Sequence, residues 1–283
     1  MKFRYSELLR CPLEQSAMQV KDGQLRCEKG HCFDIARQGY VNLLGPGDKR
    51  SRDPGDSRDM VAARREFLQS GHYEPVAEAL AVSVSRLIGR DAVIADAGCG
   101  EGYYLEKLQQ HLDLDAGAAT LIGFDISKWA VQAATRRIQA TWLVASNRRI
   151  PLAPGSVDCL LCLFGFPVFD AFMTALQPGG TLLLVTAGPR HLIELREILY
   201  PTIKHSESAV VQQAVDAGFV QGHSSSLQYT TAPLRQREIS DLLTMTPHLF
   251  RASHEGKLRA AQLQNFPVTV DVRVQLLHKN PPG

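Results

Sequence analysis

Residues 92–108 read Ala-Val-Ile-Ala-Asp-Ala-Gly-Cys-Gly-Glu-Gly-Tyr-Tyr-Leu-Glu-Lys-Leu, and residues 121–134 read Leu-Ile-Gly-Phe-Asp-Ile-Ser-Lys-Trp-Ala-Val-Gln-Ala-Ala. The apolar run 92–95 is long enough for a buried strand and too short for a helix. Asp96 ends it, Gly98, Gly100 and Gly102 follow at alternate positions, and 103–112 takes up a helical pattern. A strand, a glycine turn and a helix in that order form the first unit of a nucleotide-binding α/β fold. Glycines let the main chain turn tightly and lie against a ligand, and helix N-terminal amides point at whatever sits there. The second apolar run, 121–124, carries Asp125 at its carboxyl end. Ligands of open parallel sheets bind outside the strand ends, where an acidic residue can accept from both hydroxyls of a ribose.

A dinucleotide fingerprint would space its glycines G-x-G-x-x-G. Here the spacing is G-x-G-x-G with Asp96 two residues ahead. This tighter pattern resembles the first motif of class I S-adenosylmethionine methyltransferases, although a glycine-rich turn of an unrelated α/β protein would look similar. The resemblance implies a Rossmann-like doubly wound sheet with an antiparallel final strand.

Composition sets the bounds. The chain has 283 residues, 45% hydrophobic and 21% charged, as expected of a soluble globular protein of one large or two modest domains. Its net charge of +2 confines any nucleic-acid contact to a local patch. No apolar run approaches the roughly 20 residues of a membrane span, and the first residues, MKFRYSELLRCP, lack a signal-peptide core. A cytoplasmic protein without a membrane partner is expected. Its six cysteines then suit metal or core roles better than disulfides.

Residues 1–44 read as a separate small β module. Cys11-Pro-Leu-Glu14 and Cys27-Glu-Lys-Gly-His31 flank a hairpin-like turn at Lys21-Asp22-Gly23. Two ligand knuckles on a hairpin suggest a zinc ribbon, with Cys11, Cys27 and His31 in place and Glu14 where C-x-x-C needs a cysteine. Three readings stay open: Glu14 as an oxygen ligand, Cys32 completing the set, or a metal-free remnant. Residues 45–90 read as a linker followed by helices. Within them 48–59 is charged; Lys49, Arg50 and Arg52 could meet phosphates, and Asp53-Pro-Gly-Asp56 offers fixed carboxylates. Residues 60–68 suggest an amphipathic helix with Arg64 and Arg65 on its polar side, and 74–87 a second helix.

The order CPL…C-x-x-x-H-x-FD-x-A-x-x-GYVNLL, KRSRDPGDS, ARR-x-FL-x-x-GHY and D-x-GCGEGYY resembles the bacterial large-subunit (23S) rRNA guanine-N1 methyltransferase family. The likeness spans about residues 11–131 and resumes at Gly188-Pro-Arg-His191-Leu. It implies a zinc-ribbon-like RNA-recognition module at 1–44 and a methyltransferase domain at 91–283. It further implies S-adenosylmethionine as cofactor, zinc in the module, large-subunit rRNA as partner, and a homodimer. Cofactor contacts are implied at Tyr73, Asp96, Gly98, Gly100, Gly102, Tyr104, Leu105, Asp125, Asn147 and His191. Guanine N1 carries a proton near neutral pH, so a carboxylate is a sensible acceptor, and Asp53 and Asp56 are the candidates. Two other readings compete: a methyltransferase for a small molecule or another RNA site, and a non-catalytic binder of cofactor or RNA.

Further along, strands are expected at 141–145, 159–164 and 181–186, with an antiparallel pair at 219–229 and 268–277. Helices are expected at 128–139, 192–199 and 235–243, and a disordered tail at 279–283. Phe166 and Phe169 follow the fourth strand; they could sandwich a guanine or serve as plain packing. Cys159 and Cys162 form C-x-x-C by spacing, but a strand points them to opposite faces, which argues for core roles.

Overall fold

The computed structural model describes residues 3–45, 47, 53–89, 91–112, 119–203, 209–248 and 252–280. Lys49, Arg50 and Arg52 lie outside the described residues. Four short strands come first: β1 (Met18–Lys21), β2 (Gln24–Cys27), β3 (Cys32–Asp34) and β4 (Tyr40–Asn42). β1, β2 and β3 form a small antiparallel sheet turned at Lys21-Asp22-Gly23-Gln24. Helices α1 (Arg58–Gln69) and α2 (Glu74–Ser85) lead into β5 (Ala92–Ala97), α3 (Tyr103–His111), β6 (Ala119–Asp125), α4 (Lys128–Ala134) and β7 (Thr141–Val144). β8 (Val157–Leu163), α5 (Phe169–Ala175), β9 (Leu176–Ala187), α6 (Ile193–Leu199) and α7 (Val210–Asp216) follow. The chain closes with β10 (Val220–Thr230), α8 (Gln236–Thr244), α9 (His254–Ala261) and β11 (Thr269–His278).

The large sheet runs β10-β11-β9-β8-β5-β6-β7-β4. Pairs from β9 through β8, β5, β6 and β7 to β4 are parallel, and β11 runs antiparallel to both β9 and β10. This is the doubly wound sheet with an antiparallel end that the glycine motif implied. The strand order reverses between β5 and β8, so a crevice opens at their carboxyl ends.

Layers cover both faces of the sheet, which explains why its inner strands read as continuous apolar runs. Ile94, Leu121, Cys159 and Leu161 face one core, with Phe67, Val76, Leu80, Leu105 and Leu242 from the helices. Ala95, Ile122, Leu160 and Cys162 face the other. Cys159 and Cys162 therefore point to opposite faces, as strand alternation requires. The second core also holds Leu9, Met18 and Leu25, all fully buried. The N-terminal stretch thus shares its core with the main sheet, and β4 pairs with β7, because so small a ribbon cannot bury enough apolar surface by itself.

Several boundaries move for local reasons. α1 begins at Arg58 because the Ser57 hydroxyl accepts from Met60 N at 3.3 Å, a helix cap. α9, absent from the sequence reading, contains Gly256, which reads as a helix breaker. A Cβ there would meet the Leu199 carbonyl oxygen at 2.5 Å, so the glycine marks close packing of α9 on the end of α6. Lys279, expected in a disordered tail, donates to Met173 O at 2.7 Å and Leu176 O at 2.6 Å. No helix among the described residues is long and apolar enough to cross a membrane.

Candidate active site and metal centre

Gly98, Gly100 and Gly102 take φ of 87°, 55° and 85°, values open to glycine and strained for other residues. Gly98 N and Cys99 N donate to Phe124 O at 2.8 and 3.1 Å, fastening the turn to the end of β6. Asp125 continues this strap. Its Oδ2 accepts from Gly100 N at 3.0 Å and its Oδ1 from Ser127 N at 2.7 Å. Each oxygen keeps a lone pair for a further donor. Around a Cβ placed on Gly98 there is nothing within 4 Å, whereas one on Gly102 would press on Ala134 and Trp142 at 3.0 Å. Gly98 therefore borders open space, and Gly102 is needed for packing. Leu105 is fully buried in the core, so the structure gives its side chain a packing role and no exposure to the crevice. Glu101, inside the turn, is buried and paired with Arg137.

Asp96 is buried at the end of β5, and its Oδ1 has no hydrogen-bond partner among the described residues. Burial first, then the charge of Asp125, pushes its carboxyl up to about 8. A free aspartate ionises near pH ~4. Between about pH 4 and 8 the unfolded chain therefore sheds a proton that the folded chain keeps, and stability falls as pH rises through that window. Asp96→Asn is expected to flatten this slope, read from urea midpoints across the window. An unchanged slope would place its origin in another group.

The other wall of the crevice is aromatic. His191 is half-buried; its Nδ1 accepts from Asp271 N at 3.2 Å, and its Nε2 lies 3.2 Å from the Tyr73 hydroxyl. Burial holds the imidazole down to about 4, so the ring is neutral at pH 7. A backbone N–H can only donate, which leaves the single ring proton on Nε2, donating to Tyr73 Oη. The Tyr73 hydroxyl proton then remains for an acceptor in the crevice. Phe164 packs against this pair, its ring centroid 5.9 Å from His191, 6.3 Å from Tyr73 and 6.4 Å from Tyr104. The sequence reading put Phe164 at the end of a strand. β8 stops at Leu163, and Phe164 turns into the site with φ of 53°, a strained conformation that clusters at functional sites.

Of the two aromatics expected beside a base, Phe169 is packing: it is buried edge-to-face on Phe219 at 6.1 Å. Phe166 is 89% exposed. Asn147, read as a cofactor contact, donates its amide to Phe166 O at 3.0 Å. The two candidate bases both have partners. Asp56 pairs with Arg64, and Asp53 Oδ2 accepts from the Trp129 indole N–H at 2.8 Å. Ser127 Oγ donates to Asp56 O at 2.6 Å, so this loop is clamped over the start of α4. Arg64, expected on a solvent-facing side, reaches inward and donates to Met245 O at 2.9 Å. Its closeness to Gly100 was hidden because the two lie on separate segments of the sequence.

On the N-terminal ribbon, one ligand atom each from Cys11, Glu14, Cys27 and His31 lies within 4.8 Å of every other. Cys27 Sγ is 3.0 Å from Glu14 Oε1 and 3.4 Å from His31 Nδ1. Cys11 Sγ is 3.7 Å from the same nitrogen, which is 3.3 Å from Glu14 Oε1. Oxygen, nitrogen and sulfur ligands at zinc distances in a tetrahedron stand about 3.3–3.8 Å apart; three of these four separations fall in that span and the Cys27–Glu14 one is shorter, so the four residues fit a zinc ion with a small opening of that contact. Cys32 is exposed and turned to Gly30 O, which removes it from the set and leaves Glu14 as the fourth ligand position. A carboxylate in place of a thiolate preserves the ligand charge, and Lys29 Nζ balances the outer oxygen of Glu14 at 2.9 Å.

A crevice at the switch point of a doubly wound sheet, floored by D-x-G-x-G-x-G and an acidic second strand, defines a class I methyltransferase, here carrying a metal-ribbon module. Comparison with known proteins agrees on both parts. The family model described as "RlmA, N-terminal", a zinc ribbon, matches residues 9–52, and "Methyltransferase domain" matches residues 94–180. A Micromonospora griseorubida protein provisionally named 23S rRNA (guanine-N(1)-)-methyltransferase is 32% identical, covering 96% of this chain and 97% of its own. The 23S rRNA (guanine(748)-N(1))-methyltransferase of Streptomyces fradiae is 40% identical over 68% of this chain and 67% of its own. A solved chain from the conversion of a disulfide bond into a thioacetal group in echinomycin biosynthesis shares the fold alone. Its identity is 15%, its TM-score 0.50, and the match covers 74% of this chain and 83% of that one. The chain belongs to the 23S rRNA (guanine-N1)-methyltransferase family.

Proposed function

We propose that this protein methylates N1 of a guanine in a loop of 23S rRNA, with S-adenosylmethionine as methyl donor. One observation carries the reading: a ribbon with four candidate metal ligands and a methyltransferase crevice share one core, with β4 after the ribbon joining the main sheet, in a chain whose full-length relative bears that name. The donor, when bound, supplies an electrophilic sulfonium methyl. The chain's own residues do the rest. Asp125 accepts ribose hydroxyls, the Gly98 turn lets the ligand lie against the main chain, and the Tyr73 hydroxyl, oriented by His191, donates to an acceptor in the crevice. Asp96, with its unpartnered oxygen, faces a cationic or donor group there. Holding both reactants in line supplies much of the rate in such a transfer. Asp53 and Asp56 hold the loop over α4, and one of these carboxylates takes the guanine N1 proton as the methyl passes from the sulfonium to N1 and leaves a neutral thioether.

Zinc bound by Cys11, Glu14, Cys27 and His31 stiffens the ribbon for RNA contact. Residues 1–44 serve recognition, 45–90 connect, and 91–283 carry the chemistry. Assembly as a homodimer in the cytoplasm belongs to the same proposal. The test is transfer from labelled donor into unmodified 23S rRNA, with the product nucleoside identified by mass. 1-Methylguanosine at a single loop position is expected. Absence of transfer to RNA, with donor binding intact, would defeat the reading.

A further inference from the structure

The loop between β7 and β8 touches both the metal knuckle and the crevice. Toward the knuckle, Arg10 N donates to Pro151 O at 2.9 Å and Ala153 N to Leu8 O at 2.8 Å. Arg149 Nη1 donates to the carbonyl of Pro12, next to the ligand Cys11, at 3.3 Å. Toward the crevice, Asn147 holds the carbonyl of Phe166. Ser146 closes the turn, its carbonyl accepting from Arg149 N at 3.0 Å and its hydroxyl from Arg148 N at 3.2 Å. The backbone of Phe166 is thus clamped, while its ring is the most exposed large apolar side chain among the described residues.

Isolated exposed apolar residues are ordinary on protein surfaces. Phe166 differs in its clamp and in its place, two residues beyond the Phe164 that packs on His191. Beside it, Arg148 is exposed, and its guanidinium makes no hydrogen bond or ion pair with any described residue. The flanking side chains Asn147, Arg148 and Arg149 are polar or charged, which suits a protein partner's apolar face poorly. An exposed ring on a held backbone, with an uncommitted guanidinium on the residue that follows its Asn147 clamp, matches single-stranded nucleic acid, whose bases stack on aromatics and whose phosphates pair with arginine.

We propose that Phe166 and Arg148 form an RNA-contact rim continuous with the metal knuckle, the ring stacking on an unpaired base of the substrate and the guanidinium meeting a phosphate. The proposal rests on the rRNA reading above. It makes the β7–β8 loop the bridge that aligns RNA held by the ribbon with the mouth of the crevice.

The test uses the full chain with Phe166→Ala, Phe166→Trp and Arg148→Ala. Phe166→Ala should raise the KM for 23S rRNA by about 5- to 150-fold, the span of one lost stacking contact, with unchanged donor affinity. Phe166→Trp should keep KM within about threefold of wild type, since stacking tolerates a larger ring. Its emission should be quenched by RNA beyond the change shown by the native Trp129 and Trp142. Arg148→Ala should reduce the salt dependence of RNA binding by about 0.7 in log–log slope, the share of one phosphate on a single strand. A wild-type KM in Phe166→Ala, or no added quenching in Phe166→Trp, overturns the rim. The quenching is measured without donor, so it decides the rim even if the wild-type protein transfers no methyl group to RNA, an outcome that would defeat the catalytic reading alone.

Discussion

Replacing Asp125 with alanine is expected to weaken S-adenosylmethionine binding by at least about 100-fold, the loss of two charge-assisted hydrogen bonds at about 1.5 kcal/mol each. Those two are the bonds this carboxylate would make to ribose hydroxyls. Its other two, to Gly100 N and Ser127 N, hold the glycine turn against the start of α4. Alanine therefore removes the ligand's acceptor and loosens the turn that shapes the site. Asparagine separates these roles poorly: its amide nitrogen must face one of two backbone N–H donors, so one strap bond is lost whichever way it points. Both variants should bind donor worse than wild type, alanine more severely. Titration calorimetry with the donor reads the effect. RNA binding through the ribbon, tens of residues away in the chain, should be retained and serves as the control for folding. Binding within about threefold of wild type in the alanine variant would remove Asp125 from the site.

Asp125 was legible because its chemistry is local: an apolar run ends, and an acidic residue stands at the strand terminus. The same holds for the sheet. Parallel strands covered on both faces leave long apolar runs, and the glycine turn between the first of them and a helix names the fold. The missed features depend on contacts or torsions that a single segment does not display. Phe164 enters the site through a positive φ, and nothing in Leu-Cys-Leu-Phe-Gly announces that torsion. His191 owes its tautomer to Asp271 N, 80 residues further along. The partners of Asp53 and Asp56 were hidden because Trp129 and Arg64 belong to α4 and α1, outside the loop that carries the two carboxylates. Leu105 falls on the inward stripe of α3, so helical periodicity could have placed it in the core. The metal set lay between these extremes. Spacing supplied three candidate ligands, and only the folded ribbon brings Glu14 to Cys27 while turning Cys32 outward.

Stripping zinc is expected to abolish methyl transfer to RNA while leaving donor affinity within about threefold of wild type. A structural zinc site contributes about 10–16 kcal/mol to the fold of a zinc-finger peptide at pH 7. The ribbon's own strands add little to that: β1, β2 and β3 offer Met18, Leu25 and Cys27 to the core shared with the main sheet, and β3 buries none of its three residues. The donor site stands on β5, β6 and β8, whose parallel pairing and helix-covered face do not involve the knuckles. The purified protein should therefore contain one zinc per chain by elemental analysis, and a strong chelator should separate the two activities. Glu14 makes the assignment sharper. Thiolates hold structural zinc better than carboxylates, so Glu14→Cys should tighten zinc by about tenfold or more and slow its loss to chelator. Glu14→Ala, which deletes a ligand and leaves Lys29 without its ion-pair partner, should release the metal readily. If Glu14→Cys and Glu14→Ala retain zinc equally, the carboxylate is not a ligand. If the native protein holds no zinc, the ribbon is held by its apolar share of the main core together with the Glu14, Cys27 and Lys29 contacts, and Glu14→Cys should then destabilise it, since the replacement thiol cannot pair with Lys29.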